Sequence, residues 1–220
     1  MTVLCFASRN KKKVEEFGRM LGPVGITLVQ PRPEIPEPEE NGATFLDNAS
    51  IKARAFAAAM GMPAVADDSG IVVPVLSERF GFPFPGVLSA RISLFRIEGG
   101  ELLDFDPDRV PEGERTVRNR ETLQRLVAES GVECSAYYRV SVVVAAPDGT
   151  ILFSTVRRSN PGVILTGEMR GDNGFAYDPI LLVKKLDKTY GEMTAEEKDA
   201  ISHRGRALRS LAGWFADKSE

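Results

Sequence analysis

Cysteine and histidine are scarce in this chain, with two of the former and one of the latter among 220 residues. Cys5 and Cys134 allow at most one disulfide and lack metal-ligand spacing. Cys5 lies in an apolar stretch, where a buried inert thiol is the plain reading. His203, the single histidine, has no histidine or cysteine companion for a zinc site. Long apolar runs are missing too. Val140 to Ala146 is among the longest and is far too short to cross a bilayer. Positive charge is not in excess, since the net charge is -3, so no global field draws in nucleic acid. The opening residues, Met1 to Phe6, lack the basic region and cleavage site of a secretory signal. These absences lead us to expect a cytoplasmic protein with no nucleic-acid or membrane partner.

What is present is an ordinary globular balance, 43% hydrophobic and 27% charged. The length suits one large domain or two small lobes sharing a core. Thr2 to Ala7 reads as a buried strand, and Val14, Phe17 and Leu21 recur at helical spacing after a polar turn. The helix is expected over about Lys11 to Met20, and a short strand over Gly25 to Val29. The proline-rich stretch from Pro31 to Pro38 can be neither helix nor central strand and reads as an extended surface connector. Thr44 with Asp47 resembles a capping box before a helix that carries Asn48 and Lys52 on one face. Pro63 to Ala66 reads as a strand ending in Asp67-Asp68-Ser69-Gly70, with Ile71 to Leu76 continuing extended. Arg91 to Arg118 reads as an irregular excursion and Asn119 to Glu129 as a helix. Tyr137 to Ala146 and Ile151 to Val156 flank Pro147-Asp148-Gly149, a hairpin signal. Gly171 to Asp178 is a glycine-rich loop before a strand at Ile180 to Lys184. Thr194 and Glu197 fit a second capping box, and Leu208, Leu211 and Phe215 make the last helix amphipathic. The alternation predicts an α/β fold with a mixed sheet, as a single domain over residues 1–220.

Four groups of residues could carry chemistry. Ser8, Arg9, Asn10, Lys11, Lys12 and Lys13 form a strand-to-helix turn, where helix-start amides and lysines can hold phosphate. An ordinary capped helix explains the same residues. Glu40, Asp67 and Asp68 offer the carboxylate oxygens magnesium prefers, and such a group can take a proton from attacking water. A strand ending in paired aspartates can aim one at a metal while the other fixes the loop. A plain Asp-Ser-Gly turn is the alternative there. Phe175, Ala176, Tyr177 and Asp178 lie in a loop whose glycine lets backbone approach a ligand and whose aromatic rings can stack on a base; simple core packing also accounts for them. Lys198, His203 and Arg204 form a donor set for an oxo-purine or phosphate, although a lone histidine is commonly structural.

Together these segments closely resemble the inosine triphosphate pyrophosphatase family, the XTP/dITP diphosphatases or Ham1-like proteins. The matching blocks are Ser8 to Glu16, Glu40 to Ala49 with Lys52-Ala53, Ala66 to Gly70, Pro85 to Arg91, Gly174 to Pro179, and Glu197-Lys198 with Ile201 to Arg204. Each block alone is weak, but their order along nearly the whole chain is specific. The resemblance implies a long mixed β-sheet flanked by helices, two lobes with a nucleotide cleft between them, and a homodimer. It implies hydrolysis of ITP, dITP or XTP to the monophosphate and pyrophosphate, by magnesium-assisted water attack on the α-phosphorus. This would cleanse the nucleotide pool. By the same resemblance Ser8 to Lys13 hold the triphosphate with help from Lys52. Asp68 is the general base and a magnesium ligand, Glu40 assists with the metal, and Ser69 contacts substrate. Phe175 to Asp178, Lys198, His203 and Arg204 hold the base and sugar.

Arginine carries only donors, so it suits a 6-oxo purine and leaves adenine mispaired. The chain departs from the family pattern at Ala176, where glycine is usual, and at Cys134, where arginine is common. Arg157-Arg158-Ser159-Asn160 replaces a glycine-containing stretch, and the segment from Arg91 to Arg118 is longer than usual. The alternative function is a purine-nucleotide-binding regulatory protein without turnover.

Overall fold

A computed structural model describes residues 2–218. Met1, Ser219 and Glu220, included in the single-domain expectation, lie outside the described residues. The strands are β1 (Thr2–Phe6), β2 (Ile26–Val29), β3 (Ala64–Val72), β4 (Phe95–Glu98), β5 (Glu101–Phe105), β6 (Ser135–Ala145), β7 (Ile151–Arg158), β8 (Gly162–Ile164), β9 (Leu181–Val183) and β10 (Lys188–Thr189). The α-helices are α1 (Lys11–Leu21), α2 (Phe45–Met60), α3 (Pro74–Phe80), α4 (Arg115–Glu129), α5 (Ala195–Ile201) and α6 (His203–Asp217). Eight strands form a mixed sheet in the order β10-β9-β8-β6-β3-β1-β2, with β7 on β6. β1 pairs parallel with β2 and β3, whereas β8 pairs antiparallel with β6 and β9. The chain is therefore α/β with a mixed sheet, as its alternation of patterns predicts. No helix among the described residues is long and apolar enough to cross a membrane.

The chain forms two compact units. The first comprises Met1–Ser69, Val140–Arg158 and Ser202–Glu220. Strand β1 and the start of β3 carry buried apolar residues on both faces, as helix-covered strands do. Leu4, Phe6 and Val65 point to one face, against Phe17 and Leu21 of α1 and Leu208 and Leu211 of α6. Cys5, Ala64 and Ala66 point to the other, against Ala49, Ala53, Phe56 and Ala57 of α2. Successive side chains on a strand alternate in direction. Position 67 of β3 therefore continues the face of Val65, toward α1 and α6, and position 68 continues the face of Ala66, toward α2.

The second unit comprises Gly70–Arg139 and Ser159–Ile201. Its core gathers Ile71, Leu76, Phe84, Leu123, Leu126, Tyr138, Ile180 and Tyr190. Two sequence expectations are corrected here. Extended backbone stops at Val72, and Pro74 opens α3, because proline lacks only an amide that the first helical turn leaves unbonded anyway. Arg91 to Arg118 is ordered rather than irregular. It forms two 3-10 turns, Ile92–Leu94 and Glu112–Glu114, the antiparallel hairpin β4-β5, and the first turn of α4, which begins four residues before Asn119. Gly99 and Gly100 both have positive φ and close the hairpin, and the rings of Phe95 and Phe105 meet at 5.1 Å across its open end. Cys5 and Cys134 are both buried free thiols.

Both capping boxes form as the spacing predicts. The Thr44 hydroxyl accepts from the Asp47 amide at 3.2 Å, and the Asp47 carboxylate accepts the Thr44 amide at 3.0 Å. Thr194 and Glu197 make the same reciprocal pair at 3.2 and 3.0 Å. The first box sets the start of α2, the helix that carries Asn48 and Lys52. Thr44→Ala is expected to lower the unfolding free energy by about 1 kcal/mol, measured by urea denaturation; an unchanged midpoint would show that the box does not fix the helix start.

Candidate active site

Two groups of polar side chains stand out, one in each unit. In the first unit, the adjacent acids of β3 have opposite surroundings. Asp67 is buried, its side chain 0% exposed, and accepts the Lys13 ammonium of α1 at 2.9 Å and the Arg204 Nε of α6 at 3.0 Å. Burial alone would push this carboxyl up, but Lys13, Arg204 and Lys52 outweigh it and hold it well below the usual carboxylate range. Arg204 continues the network by donating Nη1 to Glu16 at 3.0 Å and Nη2 to the Ser69 hydroxyl at 2.9 Å. Glu16, on α1, keeps its other carboxylate oxygen buried and without a hydrogen-bond partner.

Asp68 faces α2. Its side chain is 15% exposed, and it accepts the Asn48 amide at 3.0 Å and its neighbouring Ser69 amide at 2.9 Å. The Lys52 ammonium lies 3.9 Å from Asp68 and 2.8 Å from Glu40. Burial pushes the Asp68 carboxyl above its ordinary value, with Lys52 and Asn48 opposing. Burial works against the Lys52 charge as well, yet Asp68, Asp67 and Glu40 together raise its pKa. Asn48 and Lys52 are one helical turn apart on α2, so a single helix face presents an amide and an ammonium to the same carboxylate. The Glu40 loop is drawn close to α2 at Gly42, whose amide donates to the Asn48 side-chain carbonyl at 2.8 Å. A Cβ at Gly42 would stand 2.5 Å from that of Asp47, so only glycine allows this approach.

The donor chemistry suits a hard divalent cation. Two carboxylates, Glu40 and Asp68, already converge on one positive point charge. No group of three or more acidic, histidine or cysteine side chains among the described residues could hold a metal. An ion here would need phosphate oxygens and water to complete its shell, which is how magnesium commonly binds.

The turn at Ser8 to Lys13 is only partly available to a ligand. Asn10 caps α1, and its side-chain carbonyl accepts the Lys12 and Lys13 amides at 3.1 and 3.3 Å. Those two amides, which the sequence offers as phosphate donors, are already bonded. Lys11 and Lys12 are exposed, and Ser8 accepts the Asn10 amide at 3.2 Å. Arg9 turns toward the proline-rich connector, donating to the carbonyls of Arg32, Pro33 and Ile35 and lying 3.6 Å from Glu37.

In the second unit, Asp178 is a buried hub. One carboxylate oxygen accepts the Tyr138 hydroxyl at 2.7 Å; the other accepts the Lys198 ammonium and the Phe175 amide, each at 2.6 Å. Burial and the adjacent Asp178 charge push the Tyr138 phenol well above its ordinary pKa, so it stays a neutral donor. Lys198 also sits 4.8 Å from the centre of the Phe175 ring, a cation–π arrangement. Gly174 has φ +84°, and a Cβ there would collide with the Asp178 carboxylate. Ala176, in place of the usual glycine, lies outside the left-handed region and requires no such freedom.

The Arg204 guanidinium, expected to hold the base, donates from its three nitrogens to Asp67, Glu16 and Ser69 of the first unit. His203 is buried at the first position of α6. Glu16, Asn48 and Tyr138 carry partnerships that no spacing argument assigns to them. The only hints are Glu16 following Lys13 by one helical turn and Asn48 preceding Lys52 by one.

The sequence profile of the Ham1 family matches residues 4–214. A dITP/XTP pyrophosphatase of Aquifex aeolicus is 36% identical over 208 residues, covering 94% of each chain. One from Thermus thermophilus is 39% identical over 212 residues, covering 96% of this chain and 90% of the relative. Among solved structures, a HAM1 protein from Coxiella burnetii superposes with a TM-score of 0.79 at 29% identity, over 99% of this chain and 100% of that one.

Asp67→Asn should be costly, because it leaves Lys13 and Arg204 buried beside a neutral group; removing one partner of a buried pair costs about 3–5 kcal/mol. The sign with pH follows from the depressed Asp67 pKa. The folded form binds fewer protons at this site than the unfolded form, so its contribution is complete above about pH 4 and is lost below. The stability gap between Asp67→Asn and the parent protein should therefore narrow as pH falls below about 4, as followed by urea unfolding at a series of pH values. A gap that widened on acidification would refute the assignment.

Proposed function

This chain belongs to the Ham1 family, and on that premise we propose that it hydrolyses the non-canonical purine triphosphates ITP, dITP and XTP to the monophosphate and pyrophosphate. The observation that carries the reading is the convergence of Glu40 and Asp68 on Lys52, beside an Asp67 already neutralised by its own cations. Such a site pairs one available carboxylate base with positive charge for phosphate. Its relatives' activity, acting on dITP and XTP, gives the substrate class.

In this reading Asp68 accepts a proton from water as the water oxygen bonds to the α-phosphorus. The bond between that phosphorus and the bridging oxygen breaks, and pyrophosphate leaves with the electron pair. The raised Asp68 pKa makes it a better base than an ordinary carboxylate. Asn48 and the Ser69 amide hold Asp68 in position, while Lys52 neutralises charge on the phosphates, assisted by Ser8 and Asn10, and Lys13 stays paired with Asp67. Magnesium, bound by Glu40 and Asp68 together with the phosphates, would supply further neutralisation of the leaving group. Arg204 and Glu16 hold Asp67 and Ser69 in place.

Phe175 is assigned to stack on the base, with Lys198 and the amides of the Gly174 to Asp178 loop as donors toward its oxygen. Adenine, with an amino group at the 6-position, would leave those donors mispaired, and such mispairing in a closed site can discriminate strongly. A homodimer belongs to the same reading and rests on the family resemblance, and cytoplasmic action rests on the sequence composition.

The direct test is product analysis with ITP and magnesium. IMP with pyrophosphate is expected, and IDP with orthophosphate would refute the reaction; tight ITP binding without turnover would point instead to a regulatory protein. Asp68→Asn is expected to lower kcat by about 100-fold or more with the fold retained by circular dichroism. Near-normal kcat in that variant would remove Asp68 from the role of base.

A further inference from the structure

We propose that Arg120 of α4 is a positioning residue for substrate binding, acting through the backbone of the Gly174 to Asp178 loop. Its Nη1 donates to the Ala176 carbonyl at 3.1 Å. The guanidinium has no carboxylate partner among the described residues. Glu121, the neighbouring acid, instead accepts from Arg118 at 3.0 Å. The Arg120 Nε is buried without a hydrogen-bond partner. Arg120 is half-buried, with its Nε removed from water and no counter-charge beside it, so the placement is not explained as an ion pair. The carbonyl of the loop is the acceptor that gives this geometry a purpose.

Helix α4 is well anchored for that task. On the residue before Arg120, the buried Asn119 side chain accepts the Ser93 amide at 2.9 Å, and one turn on Leu123 lies in the core. Asp178 holds the loop at its Phe175 amide and at Lys198, and Gly174 provides the sharp bend at the loop's start. The Asp178 amide closes the turn on the Phe175 carbonyl at 2.8 Å, and the buried Tyr177 ties it to the Ser89 carbonyl. Arg120 adds the bond to the Ala176 carbonyl at the centre of that turn, reaching it from a separate helix. Holding that carbonyl orders the segment carrying Phe175 before a ligand arrives, which reduces the ordering cost of binding. Arg120 also borders a pocket of about 250 Å³ with Val117, Gln124, Thr166 and Met169. Gln124 there donates to the Leu165 carbonyl at 2.6 Å, so it does not replace the arginine. Water entering that space on truncation can satisfy the carbonyl, so the fold should survive while the loop loses its fixed geometry.

This rests on the reading that the loop holds the base end of the substrate. The test is steady-state kinetics with ITP and magnesium for Arg120→Ala, Arg120→Lys and Phe175→Ala, with hydrogen exchange at amides 175–178. Arg120→Ala should raise KM about tenfold, equivalent to about 1.4 kcal/mol of binding, with kcat within about twofold. Exchange at the loop should quicken while β1 is unaffected. Arg120→Lys, retaining a cationic donor, should recover most of the KM. A raised KM for Phe175→Ala with an unchanged KM for Arg120→Ala would overturn the role of Arg120 alone. An unchanged KM in both would remove the loop from substrate binding, and this proposal with it.

Discussion

Alternation of side chains along β3 governs the chemistry of the first unit. Asp67 and Asp68 are neighbours in sequence and differ little as chemical groups. The strand sends the first toward α1 and α6 and the second toward α2, so one meets Lys13 and Arg204 while the other meets Asn48 and Lys52. The same alternation sends Ser69 back to the face of Asp67, where Arg204 binds it. A single geometric property of extended chain thus separates a carboxylate enclosed by two cations from one that stays partly exposed beside Lys52.

The electrostatics depend on that separation. Glu16 and Asp67 balance Lys13 and Arg204, so the buried network closes without net charge. Buried networks of this kind contribute little to stability compared with apolar packing, yet leaving one member unpaired is expensive. Their value here is geometric. With Asp67 held by two cations, Lys52 remains associated with Glu40 and Asp68. Raised and depressed carboxyl pKa values on consecutive residues are the electrostatic signature of that division.

Much of this is legible in the residues alone. Hydrophobic spacing locates α1, α2 and α6, and the two Thr-based capping boxes form with the expected partners. The Asp67-Asp68 pair reads as two acids with different tasks, and the structure gives them different partners, Lys13 and Arg204 for the first and Asn48 and Lys52 for the second. The hairpin at β4-β5 escapes such a reading because its glycine pair lies inside a charged, proline-containing stretch whose alternation is short. Arg204 stands near a histidine and a lysine in sequence, which is what suggests the base as its target. Its contacts with Asp67, Glu16 and Ser69 are set by where α6 crosses the face of β3, which no local pattern reports. Arg120 leaves no trace in the sequence, since its partner is a backbone carbonyl and any residue at position 176 supplies one.

The parity of β3 also bears on what kinds of change the chain can absorb. Replacing Val65 or Ala66 with another small apolar residue keeps the pattern of faces intact. Inserting or deleting one residue between Ala64 and Asp67 would exchange the destinations of the two acids, presenting Asp68 to Lys13 and Arg204 and Asp67 to Lys52. In this segment, spacing should be inherited more strictly than composition, and single-codon indels should be purged where conservative point changes persist.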